Sequence, residues 1–342
     1  MGQHCSNADA TPPVKSSRLC YLEPDSDTQE TLPMSEQRKE PAPIHRGLST
    51  VPFPDRRAAL SRRLAEGPIV VAPGVYEMIS AKMADRMGFD ALYMTGYGTV
   101  SSYLGMPDAG IASYTDMVDR VARFASITRT PMICDADTGF GGLLNVMHTV
   151  RGYEQAGACM IQIEDQEFPK KCGHMLGRRV VPAETMEDRI RVAVETRVDP
   201  NFLVIARTDA RTTLGLDEAL RRAERYARAG ADVLFVESPE SVEEMRKICE
   251  SFDLPCLANM VEGGRTPVLS KADLHAIGYR LAIFPATAFL AAGAAYAQIY
   301  QHFAEHGSSS GVETPLHDFQ KFSQMMGFDW VSEFDKRYAR EE

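Results

Sequence analysis

The run CDADTGFGG at 134–142 sets two carboxylates, Asp135 and Asp137, two residues apart. On a strand that spacing points both to one face. Like charges held together away from water need a cation, and a hard divalent ion such as Mg2+ takes oxygen ligands while keeping several of its waters. Gly139, Gly141 and Gly142 would let backbone approach a ligand closely. An Asx turn followed by a helix cap explains the same residues without an ion. In IQIEDQ, Glu164 is either a third carboxylate beside that ion or an ordinary loop acid. The segment EFPKKCGHMLGRR at 167–179 surrounds Cys172 with Lys170, Lys171 and His174. Neighbouring cations make a thiol a better proton donor or acceptor, although a surface cysteine beside solvated lysines would read the same way. Arg207, in ARTDA, offers a planar fork for a substrate carboxylate or an ion pair for Asp209 or a metal-site acid. Thr95, Gly96 and Tyr97 in TGYG can present backbone amides and a phenol; Glu237 and Asn259 end two later apolar runs, with Glu262 following. Asp108, in LGMPDAG, is a further acid or a helix cap.

These residues stand at the ends of short apolar segments: IVVAP (69–73), ALYMT (91–95), PMICD (131–135), CMIQIED (159–165), FLVIART (202–208), DVLFVES (232–238), PCLANM (255–260) and LAIFP (281–285). Helical stretches alternate with them. In one, Leu216, Leu220, Ala223, Tyr226 and Ala227 recur at helical spacing, with Arg221, Arg222, Glu224 and Arg225 between them. RMGFDALYM, QAGACMIQI and RAGADVLFV each place Gly where a helix must stop before the next strand. Strands alternating with helices imply a parallel sheet, and eight of them close a (β/α)8 TIM barrel, whose active site gathers at the C-terminal strand ends. No GxGxxG follows the first strand, which weakens a dinucleotide-binding alternative. The stretch 281–297 reads as a strand followed by a buried helix, and the helix extends over 288–304. A Gly/Ser linker, GSSSGVETP, then leads to an amphipathic piece bearing Phe319, Phe322, Met325 and Met326. Such a piece docks on its own barrel or on a neighbouring subunit.

The chain divides into a tail at 1–52, the barrel at 53–304, and a linker with C-terminal helices at 305–342. The tail is rich in Pro, Ser, Thr, Asp and Glu and shows no period, a composition expected of disorder. It opens MGQHCS, a loose match to an N-myristoylation pattern at Gly2 and Ser6, with Cys5 as a second acylation site. A start at Met34 is the plainer alternative. Hydrophobic residues make up 44% and charged residues 25% of the 342, so a large core and an ordinary surface coexist. The net charge of -10 argues against a nucleic-acid partner. No apolar run is long enough to predict a membrane span. Seven widely spaced cysteines without a CxxC pair fit a reducing, cytoplasmic setting.

Together these segments resemble the isocitrate lyase and phosphoenolpyruvate mutase superfamily over about residues 56–335. DADTGFGG and KKCGH, in this order and spacing, carry the resemblance, and the loop cysteine sets the lyase branch apart from the phosphonomutases. The resemblance implies Mg2+, with Mn2+ as the alternative, at Asp135 and Asp137, and Glu164 and Asp108 in the water shell. It implies a pocket lined by Thr95, Gly96, Tyr97, Arg207, Glu237 and Asn259, and a catalytic group of Cys172, Lys171 and His174. It also implies a homotetramer whose C-terminal helices swap between paired barrels. The run MTGYGTVSSYLGMPDAG with EDQEFPKKCGHMLGRRVVP is most similar to the 2,3-dimethylmalate lyase group, since Tyr97 stands where 2-methylisocitrate lyases carry a small residue. The expected activity is cleavage of a substituted malate to pyruvate and a short acid such as propionate. Rival readings are 2-methylisocitrate cleavage, oxaloacetate hydrolysis or decarboxylation, a Schiff-base aldolase on Lys170 or Lys171, and a non-catalytic barrel.

Overall fold

A computed structural model describes residues 48–173, 175 and 177–339. The expectations for Gly2, Cys5, Ser6, Met34 and His174 lie outside those residues. Eight parallel strands form: β1 (Val70–Val75), β2 (Leu92–Met94), β3 (Met132–Asp135), β4 (Met160–Glu164), β5 (Leu203–Thr208), β6 (Val233–Val236), β7 (Leu257–Asn259) and β8 (Leu281–Phe284). Their order is β6-β5-β4-β3-β2-β1-β8-β7. A parallel bridge between Leu234 and Cys256, beside β7, joins the two ends, so the sheet closes. The TIM-like α/β barrel is therefore the architecture of this chain. Gly88, Gly157 and Gly230, the three predicted helix stops, all have positive φ, the backbone setting glycine adopts without a Cβ clash.

Strands β2 to β7 are buried on both faces, while Val71 and Pro73 of β1 and Phe284 of β8 are only partly covered on the outward face; residue parity decides which face each side chain takes. Val70, Ala72, Tyr93, Ile133, Met160, Leu203, Ile205, Val233, Phe235, Leu257, Leu281 and Ile283 fill the barrel interior. Their strand neighbours, such as Leu92, Cys134, Ile161, Val204 and Leu234, pack outward against the helices. The helix Phe53–Glu66 closes the N-terminal mouth: Leu60 and Leu64 join the interior cluster, and Arg57 Nε donates to the Ala158 carbonyl at 2.9 Å.

One expectation needs correction. The helix Thr287–His306 follows β8 as predicted but is not buried: Leu290, Tyr296, Tyr300 and Phe303 are exposed. One barrel covers only part of such a helix, so composition alone overstated its burial. Arg222, one of the charged residues between the apolar positions of its helix, is itself buried, with its guanidinium 3.2 Å from Asp165 Oδ2. The C-terminal piece forms two helices, Phe319–Met326 and Phe328–Tyr338, with Phe319, Phe328 and Tyr338 exposed.

Candidate active site

The inward parity carries the site. On β5 the inward positions Leu203 and Ile205 continue to Arg207, on β4 Met160 continues to Gln162 and Glu164, and on β3 Ile133 continues to Asp135. The same step reaches Thr95 just beyond β2, Glu237 just beyond β6 and Asn259 at the end of β7. The barrel interior is thus apolar at one end and polar at the C-terminal mouth. There a cavity of about 300 Å³ is lined by Thr95, Tyr97, Asp108, Asp135, Glu164, Lys171, Cys172, Arg207, Glu237 and Asn259. Gly96 and Asp137 lie directly behind this lining. A Cβ on Gly96 would stand 2.5 Å from Asp135 Oδ2, so the glycine is what lets the backbone pass the carboxylate.

Asp135 and Asp137 do not share a strand face as their spacing suggested. β3 ends at Asp135, and Asp137 takes φ 47° in the following turn. That turn lets the Asp137 amide donate to Asp135 Oδ1 at 3.1 Å, while Tyr153 Oη donates to the Asp135 carbonyl at 3.1 Å. The Lys170 ammonium enters from the loop, bonds to Asp108 and reaches Asp137 Oδ1 at 2.7 Å. Burial works against this ammonium, yet Asp137, Asp108, Glu164 and Asp135 hold it protonated well above the ordinary lysine range. Burial raises Asp135, pushes Asp137 up to about 7 against the pull of Lys170, and raises Glu164 well above the usual carboxylate range.

The buried charges around the mouth do not balance. Six carboxyl groups (Asp108, Asp135, Asp137, Glu164, Asp209, Glu237) face three cations (Lys170, Arg178, Arg207). Glu164 Oε1 is buried without a hydrogen bond. A divalent cation would offset this excess, and an all-oxygen donor set suits Mg2+. Among the described residues no three His, Cys, Asp or Glu side chains converge to enclose an ion by themselves. That pattern fits an ion held by one or two carboxylates that keeps much of its water.

The loop 167–179 lies over the mouth. A bridge between Gln166 and Val180 closes its base, and the Gln166 amide grips Lys171 N and O at 2.9 and 2.8 Å. The Cys172 amide donates to the Asp108 carbonyl at 3.2 Å, which seats the thiol residue on the cavity wall. Ser238 Oγ donates to the Gly173 carbonyl at 3.2 Å. A Cβ on Gly173 would come within 2.2 Å of Arg207 Nη2 and 2.7 Å of Glu237 Oε2. Gly173→Ala should therefore keep the loop from seating: kcat/KM should fall about 5- to 150-fold, overpacking costing roughly 1–3 kcal/mol, and protease cleavage within the loop should accelerate.

Arg207 makes the ion pairs that were the alternative to a substrate role. Its fork meets Asp209 at 3.0 and 2.9 Å, Glu237 Oε2 at 3.2 Å and Glu164 Oε2 at 3.4 Å. Asn259 Nδ2 donates to Glu237 Oε2 at 3.0 Å. Lys171 lines the cavity, but its ammonium donates to the Gly177 carbonyl at 3.2 Å; Lys170 is the lysine that enters the acid cluster. Inward parity on β2 and β4 identifies Tyr93 and Gln162, joined at 3.1 Å beneath the mouth, which the motif-based reading passed over. Phe289 and Leu290, on the cavity wall, carry no local signal for that role. Phe289 meets the Tyr97 ring edge-on at 5.2 Å between centroids.

A family model described as phosphoenolpyruvate phosphomutase matches residues 60–304. The chain is 47% identical to a 2,3-dimethylmalate lyase of Eubacterium barkeri, covering 82% of this chain and 98% of that one. It is 40% identical to a 2-methylisocitrate lyase of Aeropyrum pernix, covering 83% and 91%. Among solved structures, oxaloacetate acetylhydrolase in complex with 3,3-difluorooxalacetate superimposes with a TM-score of 0.80 at 35% identity, covering 85% and 99%. A phosphonopyruvate hydrolase complex with oxalate and Mg2+ superimposes with a TM-score of 0.75 at 29% identity, covering 83% and 99%.

Proposed function

The chain belongs to the phosphoenolpyruvate mutase/isocitrate lyase superfamily, and on that footing we propose that it is an Mg2+-dependent carbon–carbon lyase cleaving a substituted malate, of the 2,3-dimethylmalate kind, to pyruvate and propionate. The observation that carries this reading is one cavity with two chemistries. Cys172 and the inward carboxylates line it together with the apolar side chains of Met175, Val261, Phe289 and Leu290. Polar groups suit a hydroxyl and carboxylates, and the apolar wall suits methyl substituents. A tricarboxylate would add a third negative charge where buried acids already outnumber cations, which favours the dicarboxylate.

Asp135, Asp137, Glu164 and Asp108 would hold Mg2+ and its waters, and the ion would supply a Lewis acid that lowers the pKa of the substrate hydroxyl. Arg207 and the first amides of the helix Gly96–Leu104, which the helix ladder leaves unused, hold the substrate carboxylates. As the hydroxyl proton departs, C2 becomes the carbonyl of pyruvate and the C2–C3 electron pair stays on C3. The Cys172 thiol gives C3 its proton, completing propionate, and the proton lost from the hydroxyl restores the thiol. Lys170, held protonated among carboxylates, is a poor nucleophile, which counts against the Schiff-base aldolase.

Incubating the protein with Mg2+ and a panel of substituted malates, citrates and oxaloacetate, then identifying the products, tests the reading. Pyruvate with propionate from 2,3-dimethylmalate is the expected result. Pyruvate with succinate from 2-methylisocitrate alone would replace the substrate. Oxalate with acetate from oxaloacetate would favour the second reading, hydrolysis, which the likeness to oxaloacetate acetylhydrolase supports.

The exposed apolar side chains of the helices Thr287–His306 and Phe328–Tyr338 support assembly as a homotetramer in which C-terminal helices cover a neighbouring barrel. Light scattering should give four chains, and fewer after truncation at residue 306. No helix among the described residues is long and apolar enough to cross a membrane; the cytoplasmic setting proposed for the chain rests on its seven widely spaced cysteines.

A further inference from the structure

Arg178 sits at the far end of the loop 167–179, outside the cavity lining, with its side chain 1% exposed. Its guanidinium is satisfied on three sides. Nη1 bonds to Asp209 Oδ1, Nη2 donates to Thr212 Oγ1 at 2.6 Å, and Nε donates to the Met175 carbonyl at 3.1 Å. The same Asp209 oxygen accepts from Arg207 Nη2 at 2.9 Å, and its other oxygen accepts from Arg207 Nε at 3.0 Å. One fully buried carboxylate therefore serves two guanidinium groups, one from the loop and one from β5. Burial works against the charge on Asp209, but Arg207 and Arg178 together hold it below the ordinary range. The Asp209 backbone is anchored as well, since its amide donates to Asp165 Oδ1 at 2.9 Å.

We propose that Arg178 is a positioning residue: by sharing Asp209 it leaves the Arg207 guanidinium available to an anion in the cavity, and it does so only while the loop is seated. The inference rests on the assignment of Arg207 to a substrate carboxylate. Without Arg178, Asp209 would be shared by no cation but Arg207, and the cavity side of the barrel would gain one uncompensated negative charge. In a buried setting that is a strong effect, because unpaired charges there are poorly screened. Lysine is a weak substitute, since a single ammonium cannot span Asp209, Thr212 and the Met175 carbonyl as a planar fork does.

Oxalate binding in the presence of Mg2+, followed by calorimetry, tests this without requiring turnover. Arg178→Gln should weaken oxalate binding roughly tenfold or more, and Arg178→Lys should fall between it and wild type. Adding Asp209→Asn to Arg178→Gln should recover a large part of the lost affinity, because it removes the carboxylate that captures Arg207. A purely structural role for Arg178 predicts the reverse: the second substitution would add a further loss. Wild-type affinity in Arg178→Gln, or no recovery in the double variant while its thermal midpoint stays within a few degrees of wild type, overturns the proposal. Failure of wild type to bind oxalate would instead overturn the anion role of Arg207, and the inference with it.

Discussion

Cys172→Ser should lower turnover by about 10²- to 10⁴-fold, the usual contribution of a positioned general acid, while the affinity for the substituted malate stays within a few-fold of wild type. Serine keeps the size and the backbone. The Cys172 amide would still donate to the Asp108 carbonyl, and the Met175 amide would still donate to the residue 172 carbonyl at 2.9 Å. What changes is the acidity of the group offered to C3, since an alcohol gives up a proton far less readily than a thiol. Steady-state kcat and KM, paired with calorimetry, separate the two quantities, and near-normal kcat would remove Cys172 from the mechanism. The other described cysteines provide controls. Cys134, Cys159 and Cys256 are buried, Cys134 and Cys256 in the outer shell and Cys159 in the inner cluster, so serine there should affect stability more than chemistry.

Removing divalent metal with EDTA should bring activity to background, and added Mg2+ should restore it. The physical reason is the uncompensated acid cluster. In the metal-free protein Asp137 stands raised from 3.8 to about 7, and Asp135 and Glu164 are raised with it, burial being the leading cause for all three. A carboxyl whose pKa is higher in the folded than in the unfolded state binds more protons when folded between those two values. Stability is then fully present below about 3.8 and declines as pH rises through about 7. The thermal midpoint of the metal-free protein should therefore fall as pH climbs through this window. Mg2+ should flatten that slope, because it binds the deprotonated carboxylates and its affinity rises as they ionise. Thermal scans across this range, with and without Mg2+, read the effect directly. A metal-free midpoint that rises with pH would contradict the placement of these acids, and full activity after exhaustive chelation would contradict the metal's role.

The barrel was legible because its signals are local. A strand buried on both faces reads as a continuous apolar run, and glycine at a helix stop is required by backbone geometry at that one position. Most of the candidate pocket was legible for the same reason. Thr95, Asp135, Glu164, Arg207, Glu237 and Asn259 stand where inward-facing apolar positions give way to polar ones, and a barrel gathers such ends at one mouth. Helix burial was misjudged for the helix Thr287–His306, because apolar composition states what a surface needs and not what covers it.

The remaining features belong to irregular or distant parts of the chain. Asp137 follows a strand by two residues, but its left-handed backbone turns it out of the strand's parity. Lys170 and Lys171 are adjacent and chemically alike; the Gln166 clamp on Lys171 and the carboxylates of Asp108 and Asp137 determine which ammonium is buried. Phe289 meets Tyr97 only because β8 pairs with β1, bringing the helix after the last strand beside the helix Gly96–Leu104 after the second. By itself the sequence determined the strands, their inward faces and the acids and thiol they deliver to one mouth, since those follow from periodicities of a few residues. Tertiary structure alone decided which lysine enters the acids, which aromatic walls the cavity and that Arg178 shares Asp209 with Arg207, because each depends on barrel closure or on a loop whose path no local period encodes.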